Sequence, residues 1–436
     1  MMYSLPQDFI ENIKKQLPKN EWEAFFATYE VPPHKGVRLN VLKGDRYALK
    51  KLLPFLEEQI PWEENGFYTH KEKAGASPFH AAGLFYMQEP SAMSAAPLLQ
   101  VQRGEKVLDL CSAPGGKGTQ LASAMQGEGV LVLNEPMYPR AKILSQNVER
   151  LGVKNAVVTS ELPASLAKKF PAYFDKILVD APCSGEGMFK KNADEALTEW
   201  SEENVALCAT RQKEILHEAE KMLKVGGRLV YSTCTFAVEE DEQQVQDFVN
   251  SHPNMRHIHS EKLYPHKVKG EGHFVAVFEK TDGEISRMPP LAKGKITPAS
   301  EKAYRQFETQ TLGIKMERLY EADGVLYALP DNVFDFKTIN VLRVGIKLGE
   351  CKNGRFEPNH ALAMCLKSSE CRNVVSLAVG EENTAKYLRG ETFEKDGDNG
   401  WCLVCVEGYP MGWGKRVNGV VKNHLPKALR MMSVEN

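Results

Sequence analysis

The sequence predicts an α/β protein built around a doubly wound, mostly parallel sheet. From about residue 104 to residue 280, apolar runs of strand length alternate with amphipathic stretches of helix length. Those runs read KVLDLC, GVLVLN, NAVVT, KILVDAP, GRLVYSTC and HFVAVFE. Continuous apolar runs are typical of parallel strands buried on both faces, and their alternation with helices indicates crossover connections. Ligands of such folds bind beyond the carboxyl ends of the strands.

Three stretches carry the helical spacing of apolar residues most clearly. The first runs from Pro6 to Gln16, the second covers 138–151, and the third covers 204–224. We expect Gly226-Gly227 to end the third helix, because glycine readily adopts the backbone conformation that follows a helix.

The chain has 436 residues, more than one hydrophobic core usually organises, so we predict several domains. Residues 1–85 are expected to form an N-terminal α/β extension, and 86–282 the domain with the parallel sheet. Residues 283–345 begin as a Pro-, Gly- and Ser-rich linker and continue as a small α/β region. Residues 346–436 contain further strand-like runs and are expected to form a C-terminal domain.

Composition narrows the class of protein. Nine cysteines, an odd number spread along the chain, indicate free thiols in a reducing compartment. The N-terminus lacks the apolar run of an export signal, and no segment approaches the ~20 apolar residues that span a bilayer. We therefore expect a cytoplasmic monomer without a membrane partner. The net charge of -2 indicates no particular partner, but the stretch between Glu407 and Glu435 has no acidic residue and five basic ones: Lys415, Arg416, Lys422, Lys427 and Arg430.

A glycine loop follows the first predicted strand of the sheet and begins a helix. It reads Cys111-Ser112-Ala113-Pro114-Gly115-Gly116-Lys117. The loop does not spell GxGxxG, and Gly118 stands where a Walker A loop needs Ser or Thr, so neither a dinucleotide nor ATP is favoured. S-adenosylmethionine has no phosphate and suits a loop of this other form, whose glycines allow close approach to the backbone. Glu135, at the end of the second strand, is placed to accept hydrogen bonds from ribose hydroxyls.

Two cysteines follow neighbouring strands of the predicted sheet. Cys183 lies in the segment DAPCSGEG, and Cys234 lies in YSTCTF. Two thiols at one edge of the sheet suit the methylation of cytosine at C5. A thiolate that adds to C6 makes C5 nucleophilic, an acid assists at N3, and a base later removes the C5 proton. We assign Cys234 as the nucleophile, Asp180 as the N3 partner and Cys183 as the group that assists release.

This mechanism makes two demands, one on Asp180 and one on the target cytosine. Asp180 can donate a proton only if burial beside the base raises its pKa, and the target cytosine must be unstacked or single-stranded. The other cysteines are interpreted as structural. Cys208 lies in a predicted helix, and Cys402 and Cys405 form one CxxC without a second ligand pair, so we expect no metal.

The motifs CSAPGGK, DAPCSGEG and YSTCTF resemble those of the Sun-type (Fmu/RsmF/NSUN) RNA 5-methylcytosine methyltransferases. The resemblance is specific across residues 86–280 and implies a Rossmann-like class I S-adenosylmethionine-dependent methyltransferase domain. In the family pattern Cys234 matches the nucleophile and Cys183 the second cysteine. The loop 111–117, Glu135 and Asp180 match the cofactor contacts. The segment YMQEPS, at 86–91, matches the family's segment just before this domain.

The resemblance extends to the C-terminal region, where LRVG at 342–345, RFEP at 355–358 and GYPMGWGK at 408–415 are similar to the RsmF-like branch. Members of that branch methylate small-subunit ribosomal RNA and carry a PUA-like RNA-binding domain. The resemblance therefore implies ribosomal RNA or the small ribosomal subunit as the partner, with an N-terminal extension that also binds RNA. Within the C-terminal domain, five residues are candidates for contacts with phosphates and bases: Tyr409, Trp413, Lys415, Arg416 and Lys422.

One departure from the family pattern concerns the adenine of the cofactor. Many members have an Asp after the third strand, whereas this chain reads Thr159-Ser160-Glu161-Leu162. Either Glu161 substitutes for that residue or backbone groups alone hold the adenine. Two other positions have open interpretations: Trp200 lines the substrate cleft or belongs to the core, and Lys117 contacts the donor or RNA or is solvated.

Other functions compete with this interpretation. DNA cytosine-5 methyltransferases attack with a cysteine that follows proline, as Cys183 does, but they need no second cysteine such as Cys234. A transfer RNA methyltransferase, a non-catalytic ribosome-assembly factor and a small-molecule methyltransferase are further alternatives. The presence of both cysteines and Asp180 argues against the assembly factor. A small-molecule methyltransferase would have no use for the C-terminal domain, which argues against that alternative.

Overall fold

The computed structural model describes residues 5–191, 193–283, 285 and 288–431. The N-terminal elements are α1 (Gln7–Gln16), α2 (Trp22–Ala27), β1 (Gly36–Leu39), α3 (Arg46–Leu52), β2 (Gly66–Tyr68), α4 (Pro78–Ala81), β3 (Phe85–Met87) and α5 (Ala95–Leu98). The central elements are β4 (Lys106–Asp109), α6 (Gly116–Met125), β5 (Val130–Asn134), α7 (Tyr138–Arg150), β6 (Ala156–Thr159), α8 (Pro163–Lys169), β7 (Phe174–Asp180), α9 (Ala193–Glu199), α10 (Glu202–Met222), β8 (Leu223–Thr233), α11 (Glu242–Ser251), β9 (Met255–Leu263) and β10 (His273–Lys280). The C-terminal elements are α12 (Pro298–Thr311), β11 (Leu319–Ala322), β12 (Val325–Ala328), β13 (Val341–Val344), β14 (Ile346–Lys352), β15 (Arg355–Pro358), α13 (His360–Cys365), β16 (Val374–Leu377), α14 (Glu382–Arg389), β17 (Phe393–Glu394), β18 (Gly400–Val406), β19 (Tyr409–Val417) and β20 (Val420–Asn423).

An eight-stranded sheet organises the centre of the molecule, in the order β13-β6-β5-β4-β7-β8-β10-β9. The five strands from β6 to β8 are parallel, and β13, β10 and β9 run antiparallel to their neighbours. From β4 the chain builds outwards through β5 and β6, and then in the other direction through β7 and β8. The strand order therefore reverses beside β4, which is where open α/β sheets bind ligands. The doubly wound fold predicted from the sequence is confirmed.

Side chains that alternate along each strand fill two cores, one on each face of this sheet. In β10, Phe274 and Phe278 pack into the core beneath α8 and α10, whereas Val275 and Val277 pack into the core beneath α6 and α7. Because successive side chains point to opposite faces, a shift of one residue would exchange the two sets. This pattern fixes the register that brings the strand ends together.

The longest helix, α10, begins two residues before the predicted stretch 204–224 and also ends two residues before it. Ser201 Oγ accepts the backbone N–H of Asn204 at 3.1 Å and caps the helix. The expected end at Gly226-Gly227 was wrong, because α10 ends at Met222 and the chain passes directly into β8. Gly226 lies within β8 with a φ of 78°, a left-handed conformation that favours glycine.

The N-terminal sheet, β2-β1-β3, and the C-terminal five-stranded sheet, β16-β18-β19-β20-β17, share one core. Val37 and Leu39 of β1 belong to the same cluster of buried side chains as Val375 of β16 and Val404 of β18. A four-stranded sheet, β11-β12-β14-β15, has strands on both sides of the boundary expected at 345/346. Strand β13, just before that boundary, joins the central sheet by pairing with β6.

Within the part of the chain that the structure describes, no helix has the length and apolar character that crossing a membrane requires.

Candidate active site

A cleft of about 1200 Å³ opens at the carboxyl ends of β4, β5, β7 and β8. A single small-molecule site usually occupies roughly 300–1,000 Å³, so the cleft has room for a small molecule and part of a second one. The starts of α6, α7 and α8 and one side of α10 complete its walls. All but one of the predicted site residues line it: Cys111, Ser112, Ala113, Pro114, Gly116, Lys117, Glu135, Asp180, Cys183 and Cys234.

The remaining predicted residue, Gly115, makes the turn from β4 into α6. It has a φ of 110°, and a Cβ at this position would lie 3.0 Å from Leu144 Cδ1. Gly118, in the first turn of α6, is constrained more tightly, since a Cβ there would lie 2.5 Å from Ser112 Oγ and 2.9 Å from Asp109 Oδ2. Contacts this short exclude a side chain at 118. This explains in steric terms why the loop departs from the Walker A pattern.

Helix α7 holds the outer side of the glycine loop. Arg140 Nη2 donates to the carbonyl oxygen of Ala113 at 3.1 Å, and Asn147 Nδ2 donates to that of Pro114 at 2.9 Å. These two bonds fix the carbonyl groups of the loop. The loop is therefore a rigid wall of the cleft.

The inner side of the loop is held by Arg38, a residue that the sequence placed only in a short strand. Its guanidinium is 2% exposed and donates to Gly116 O at 3.0 Å, to Thr119 Oγ1 at 2.7 Å and to Gln88 Oε1 at 3.0 Å. Burial lowers the pKa of Arg38 to about 10. Strand β1 of the N-terminal extension thus supports the start of α6 through a single buried cation.

Acceptor groups surround this loop. Glu135 is 2% exposed; its Oε1 accepts the N–H of Met137 at 2.9 Å, and its Oε2 lies 3.4 Å from Arg140 Nη1. Asp109, behind the loop, is fully buried, and neither of its carboxylate oxygens has a hydrogen-bond partner among the described residues. Burial raises the pKa of Asp109 to about 7. Of these two carboxylates only Glu135 lines the cleft, and an acceptor beside a glycine turn fits a ligand that offers hydroxyl donors, as S-adenosylmethionine does.

The segment after β6 places Glu161 outside the lining of the cleft and Leu162 within it. Glu161 Oε1 accepts the backbone N–H of Asn340 at 2.7 Å, and Glu161 does not line the cleft. Leu162 does line it, together with Met137, and these side chains are 65% and 58% exposed. Exposed apolar side chains at a cleft edge suit the face of an aromatic ring. The structure therefore offers apolar contact at this edge, while the carboxylate of Glu161 is directed elsewhere.

The two cysteines at the strand ends are in contact. Cys183 Sγ lies 3.3 Å from Cys234 Sγ, and the backbone N–H of Cys234 lies 3.4 Å from Cys183 Sγ. Strands β7 and β8 pair in parallel with Asp180 opposite Ser232, so the two loops leave the sheet side by side. The hydrogen bond with Cys234, together with burial, raises the pKa of Cys183 well above its usual range. This favours the neutral thiol form of Cys183.

Asp180 is held by two donors. Lys117 Nζ lies 2.9 Å from Asp180 Oδ2, and Ser232 Oγ donates to Asp180 Oδ1 at 2.9 Å. Burial opposes the charge of Lys117, but the carboxylate of Asp180 outweighs it and raises the pKa of Lys117. In this arrangement Asp180 accepts hydrogen bonds and Lys117 carries the protons.

The C-terminal candidates for RNA contact divide into buried and exposed residues. Trp413 is 1% exposed and donates its Nε1–H to Asn359 O, and Arg416 is 2% exposed and donates to Asn373 Oδ1. The prediction that these two side chains contact RNA was wrong. The reason is that β19 lies in a sheet covered on both faces, by the N-terminal extension on one side and by α12 and α13 on the other.

The other three candidates are at least partly accessible. A Cβ at Gly44 of the N-terminal extension would lie 3.1 Å from the hydroxyl of Tyr409, so Tyr409 belongs to the seam between the two regions. Lys415 Nζ lies 5.3 Å from the centre of the Trp401 ring, and Lys422 is exposed. Lys415 and Lys422 are therefore the candidates that can still reach a phosphate.

Trp200 belongs to a core and does not line the cleft. Its ring packs edge-on against Phe9 and Phe189, and its Nε1–H donates to Glu186 Oε1 at 3.0 Å. Helix α1 is thereby anchored beside the Cys183 loop.

Four family profiles cover most of the chain. They describe the N-terminal domain of 16S rRNA methyltransferase RsmF (residues 5–90), 16S rRNA methyltransferase RsmB/F (96–279), the first C-terminal domain of the RsmF rRNA methyltransferase (306–366) and the methyltransferase RsmF PUA domain (374–431). Ribosomal RNA small subunit methyltransferase F of Vibrio atlanticus is 31% identical over 98% of this chain and 97% of its own length. The protein of the same name from Shewanella sp. strain ANA-3 is 32% identical over 98% of both chains.

Solved structures are similar to about two thirds of the chain. A methyltransferase homologue from Pyrococcus horikoshii is 26% identical, with a TM-score of 0.54, over 63% of this chain and 100% of that one. NSun6 from the same organism, solved with SFG, is 21% identical with a TM-score of 0.57, over 65% of this chain and 100% of that one. At 21% identity, the similarity to NSun6 concerns the fold alone.

Proposed function

The chain belongs to the ribosomal RNA small subunit methyltransferase F family, and we propose that it methylates C5 of cytosine in 16S ribosomal RNA. The observation that carries this proposal is the 3.3 Å separation of the Cys183 and Cys234 sulfur atoms in the lining of the cleft. A methyl transfer to oxygen or to an exocyclic nitrogen needs no thiol, whereas C5 of cytosine becomes nucleophilic only after addition at C6. We propose that the reaction takes place in the cytoplasm, because its proposed substrate is ribosomal RNA.

Cys234 makes the attack. We assign the attack to Cys234 because it matches the nucleophile of the family pattern and directly follows β8. The hydrogen bond with Cys234 and burial raise the pKa of Cys183 and favour its thiol form. As the C6–S bond forms, the electron pair of the C5=C6 bond moves into the ring and negative charge develops towards N3. The Lys117–Asp180 pair supplies a proton or a hydrogen bond there, with Lys117 as the proton source and Asp180 as its partner, and Lys117 takes the proton back as C5 accepts the methyl group.

S-adenosylmethionine, when bound, supplies an electrophilic methyl group to C5. Glu135 and the loop 111–117 are the residues proposed to hold it, with Glu135 accepting from the ribose hydroxyls and Leu162 against the adenine. Once the sulfur of Cys234 is bonded to C6, the hydrogen bond that is the larger cause of the raised pKa of Cys183 is lost, while burial still raises that pKa. In the proposal Cys183 then gives its proton to water and acts as the base.

Cys183 completes the reaction by taking the C5 proton. The electron pair of the C5–H bond forms the C5=C6 bond, and the pair of the C6–S bond returns to Cys234 as the thiolate. The cytosine must be out of any base stack to reach both thiols, so a single-stranded or distorted segment of RNA is the substrate.

The decisive experiment measures tritium transfer from labelled methyl donor to 16S ribosomal RNA, followed by bisulfite sequencing of ribosomal and transfer RNA from cells that lack the protein. The proposal predicts transfer to 16S ribosomal RNA and the loss of 5-methylcytosine from it. Loss of 5-methylcytosine from transfer RNA instead would show that transfer RNA, and not 16S ribosomal RNA, is the substrate. RNA binding without any transfer would favour a non-catalytic assembly factor.

A further inference from the structure

The loop that carries Cys183 is held on both sides by two buried side chains that the reaction does not use. Gln212 Nε2 donates to the carbonyl oxygen of Pro182 at 3.0 Å, and the backbone N–H of Ser184 donates to Glu240 Oε2 at 3.0 Å. Gln212 Nε2 also donates to Glu240 Oε2, at 2.7 Å. The peptide groups immediately before and after Cys183 are therefore fixed by one hydrogen-bonded pair.

Neither member of this pair reaches the cleft. Gln212, from α10, and Glu240, from the turn before α11, are both 0% exposed and do not line it. The backbone of Glu240 is anchored too, since its carbonyl oxygen accepts the hydroxyl of Tyr231 at 2.7 Å. Both side chains therefore act on Cys183 only through the backbone of its loop.

A buried carboxylate at this position is costly. Burial raises the pKa of Glu240 to about 7, and no Lys or Arg forms an ion pair with Glu240 in the part of the chain that the structure describes. An uncompensated buried acid lowers stability compared with a neutral side chain of the same shape. Packing alone does not explain a carboxyl side chain at this position. The two N–H donors that it accepts from, Ser184 N–H and Gln212 Nε2, do explain it.

The same network connects the two cysteine loops. The hydroxyls of Ser184 and Thr235 are hydrogen bonded at 2.9 Å, and the N–H of Gly187 donates to the carbonyl oxygen of Cys234 at 2.9 Å. Cys234 itself directly follows β8, so its place is set mainly by the sheet. Cys183 lies three residues beyond β7 and depends on the side chains that hold its loop.

From this asymmetry we propose that Glu240 is a positioning residue for the release step: through Ser184 and Gln212 it holds Cys183 where it can take the C5 proton. The inference rests on the proposed function. Without Glu240 the Cys183 loop shifts while Cys234 stays at its strand end. Attack and methyl transfer then proceed, whereas removal of the C5 proton, and with it the departure of Cys234 from C6, is slowed.

The test uses the full-length protein with ribosomal RNA and labelled methyl donor, and compares the first turnover with steady-state turnover. For Glu240→Ala we expect steady-state turnover to fall by about tenfold or more, with first-turnover methyl transfer within about twofold of wild type. RNA adducts that resist denaturation should accumulate. Glu240→Gln keeps an acceptor for the Ser184 N–H and should restore turnover to within about threefold of wild type.

Gln244→Ala is the matched control. Gln244, on α11, is also buried and donates to the carbonyl oxygens of Ala209 on α10 and of Glu239, but it has no hydrogen bond to the Cys183 loop among the described residues. Its loss should leave adduct levels unchanged. If Glu240→Ala fails to fold, Gln212→Ala gives the answer, because it frees the Pro182 carbonyl and should also accumulate adduct.

Equal slowing of the first turnover and of steady-state turnover, or adduct in the Gln244 control, would overturn the inference. If Cys183→Ala traps RNA but neither Glu240→Ala nor Gln212→Ala does, the inference fails and the proposed function stands. If Cys183→Ala traps no RNA either, the proposed function fails with it.

Discussion

Lys117 Nζ lies 2.9 Å from Asp180 Oδ2, and the Lys117 side chain is 9% exposed. Ser232 Oγ donates to the other carboxylate oxygen, so both oxygens of Asp180 accept a hydrogen bond in this structure. The sequence predicted Asp180 alone as the N3 partner. In the mechanism proposed above the Lys117–Asp180 ion pair takes that role, with Lys117 as the proton source.

Lys117→Gln should slow adduct formation more than it weakens cofactor binding. General acid groups typically contribute ~10²–10⁴ to a rate, so we expect adduct formation to slow by about 100-fold or more. Arg140→Gln, which removes the partner of Glu135, should instead reduce affinity for S-adenosylhomocysteine and leave adduct formation at saturating donor nearly unchanged. Rapid-quench assays and titration calorimetry measure the two effects. Identical profiles for the two variants would contradict the division of roles.

The two cysteines should behave oppositely when each is replaced. Cys183→Ala should leave a denaturation-resistant protein–RNA adduct, because Cys234 still attacks but release fails. Cys234→Ala should form none. Gel electrophoresis under denaturing conditions with labelled RNA detects the adduct, and Cys208→Ala, at a buried position on α10, is the control. The reverse pattern would assign the attack to Cys183.

Arg38→Met should destabilise the protein and loosen the cofactor loop. The change removes the four hydrogen bonds that the buried guanidinium donates to Gln88, Gly116, Thr119 and Ser123, which should cost at least about 1.5–3 kcal/mol. Arg103→Met removes an exposed ion pair with Glu128 at 3.5 Å and should cost about 0–1 kcal/mol. Urea unfolding gives both values. A loss for Arg38→Met no larger than that of Arg103→Met would show that β1 does not support the loop.

His80 should make the fold sensitive to mild acid. Burial lowers the pKa of His80 from 6.5 to about 3, so the unfolded chain binds its proton first. The stability that His80 contributes is present above pH 6.5 and is lost as pH falls towards 3. Between pH 7 and pH 5 this amounts to about 1–2 kcal/mol. His80→Gln should reduce the fall in unfolding free energy over that range by this amount, as measured by urea titrations at both pH values.

Trp413 and Lys422 should separate stability from RNA binding. Trp413→Ala empties a buried site and should cost about 3–5 kcal/mol of stability. Lys422→Ala should leave stability within about 0.5 kcal/mol and weaken RNA binding by a few-fold at fixed salt. Filter binding together with thermal unfolding measures both. An unchanged affinity for Lys422→Ala would place the RNA path on another face of the C-terminal domain.

The sequence by itself determined the central sheet and the residues at its edge. Apolar runs set the strands, and the motifs around Gly115, Cys183 and Cys234 directly follow those strands, so local order along the chain already brings them to one side. Each of these features depends on residues within one strand and the turn after it. The parallel pairing of β7 and β8 then adds only the distances between these residues, such as that between the two cysteine sulfur atoms.

Only the tertiary structure decided which side chains are buried and which distant ones meet. The strand with Trp413 is amphipathic enough to face solvent, but Phe307 of α12, more than 100 positions earlier in the chain, packs against the Trp413 ring. Gln212 and Glu240 stand 28 positions apart and share no motif, yet they bond at 2.7 Å. Periodicity reports which face of an element a residue occupies, whereas burial depends on what another segment places against that face.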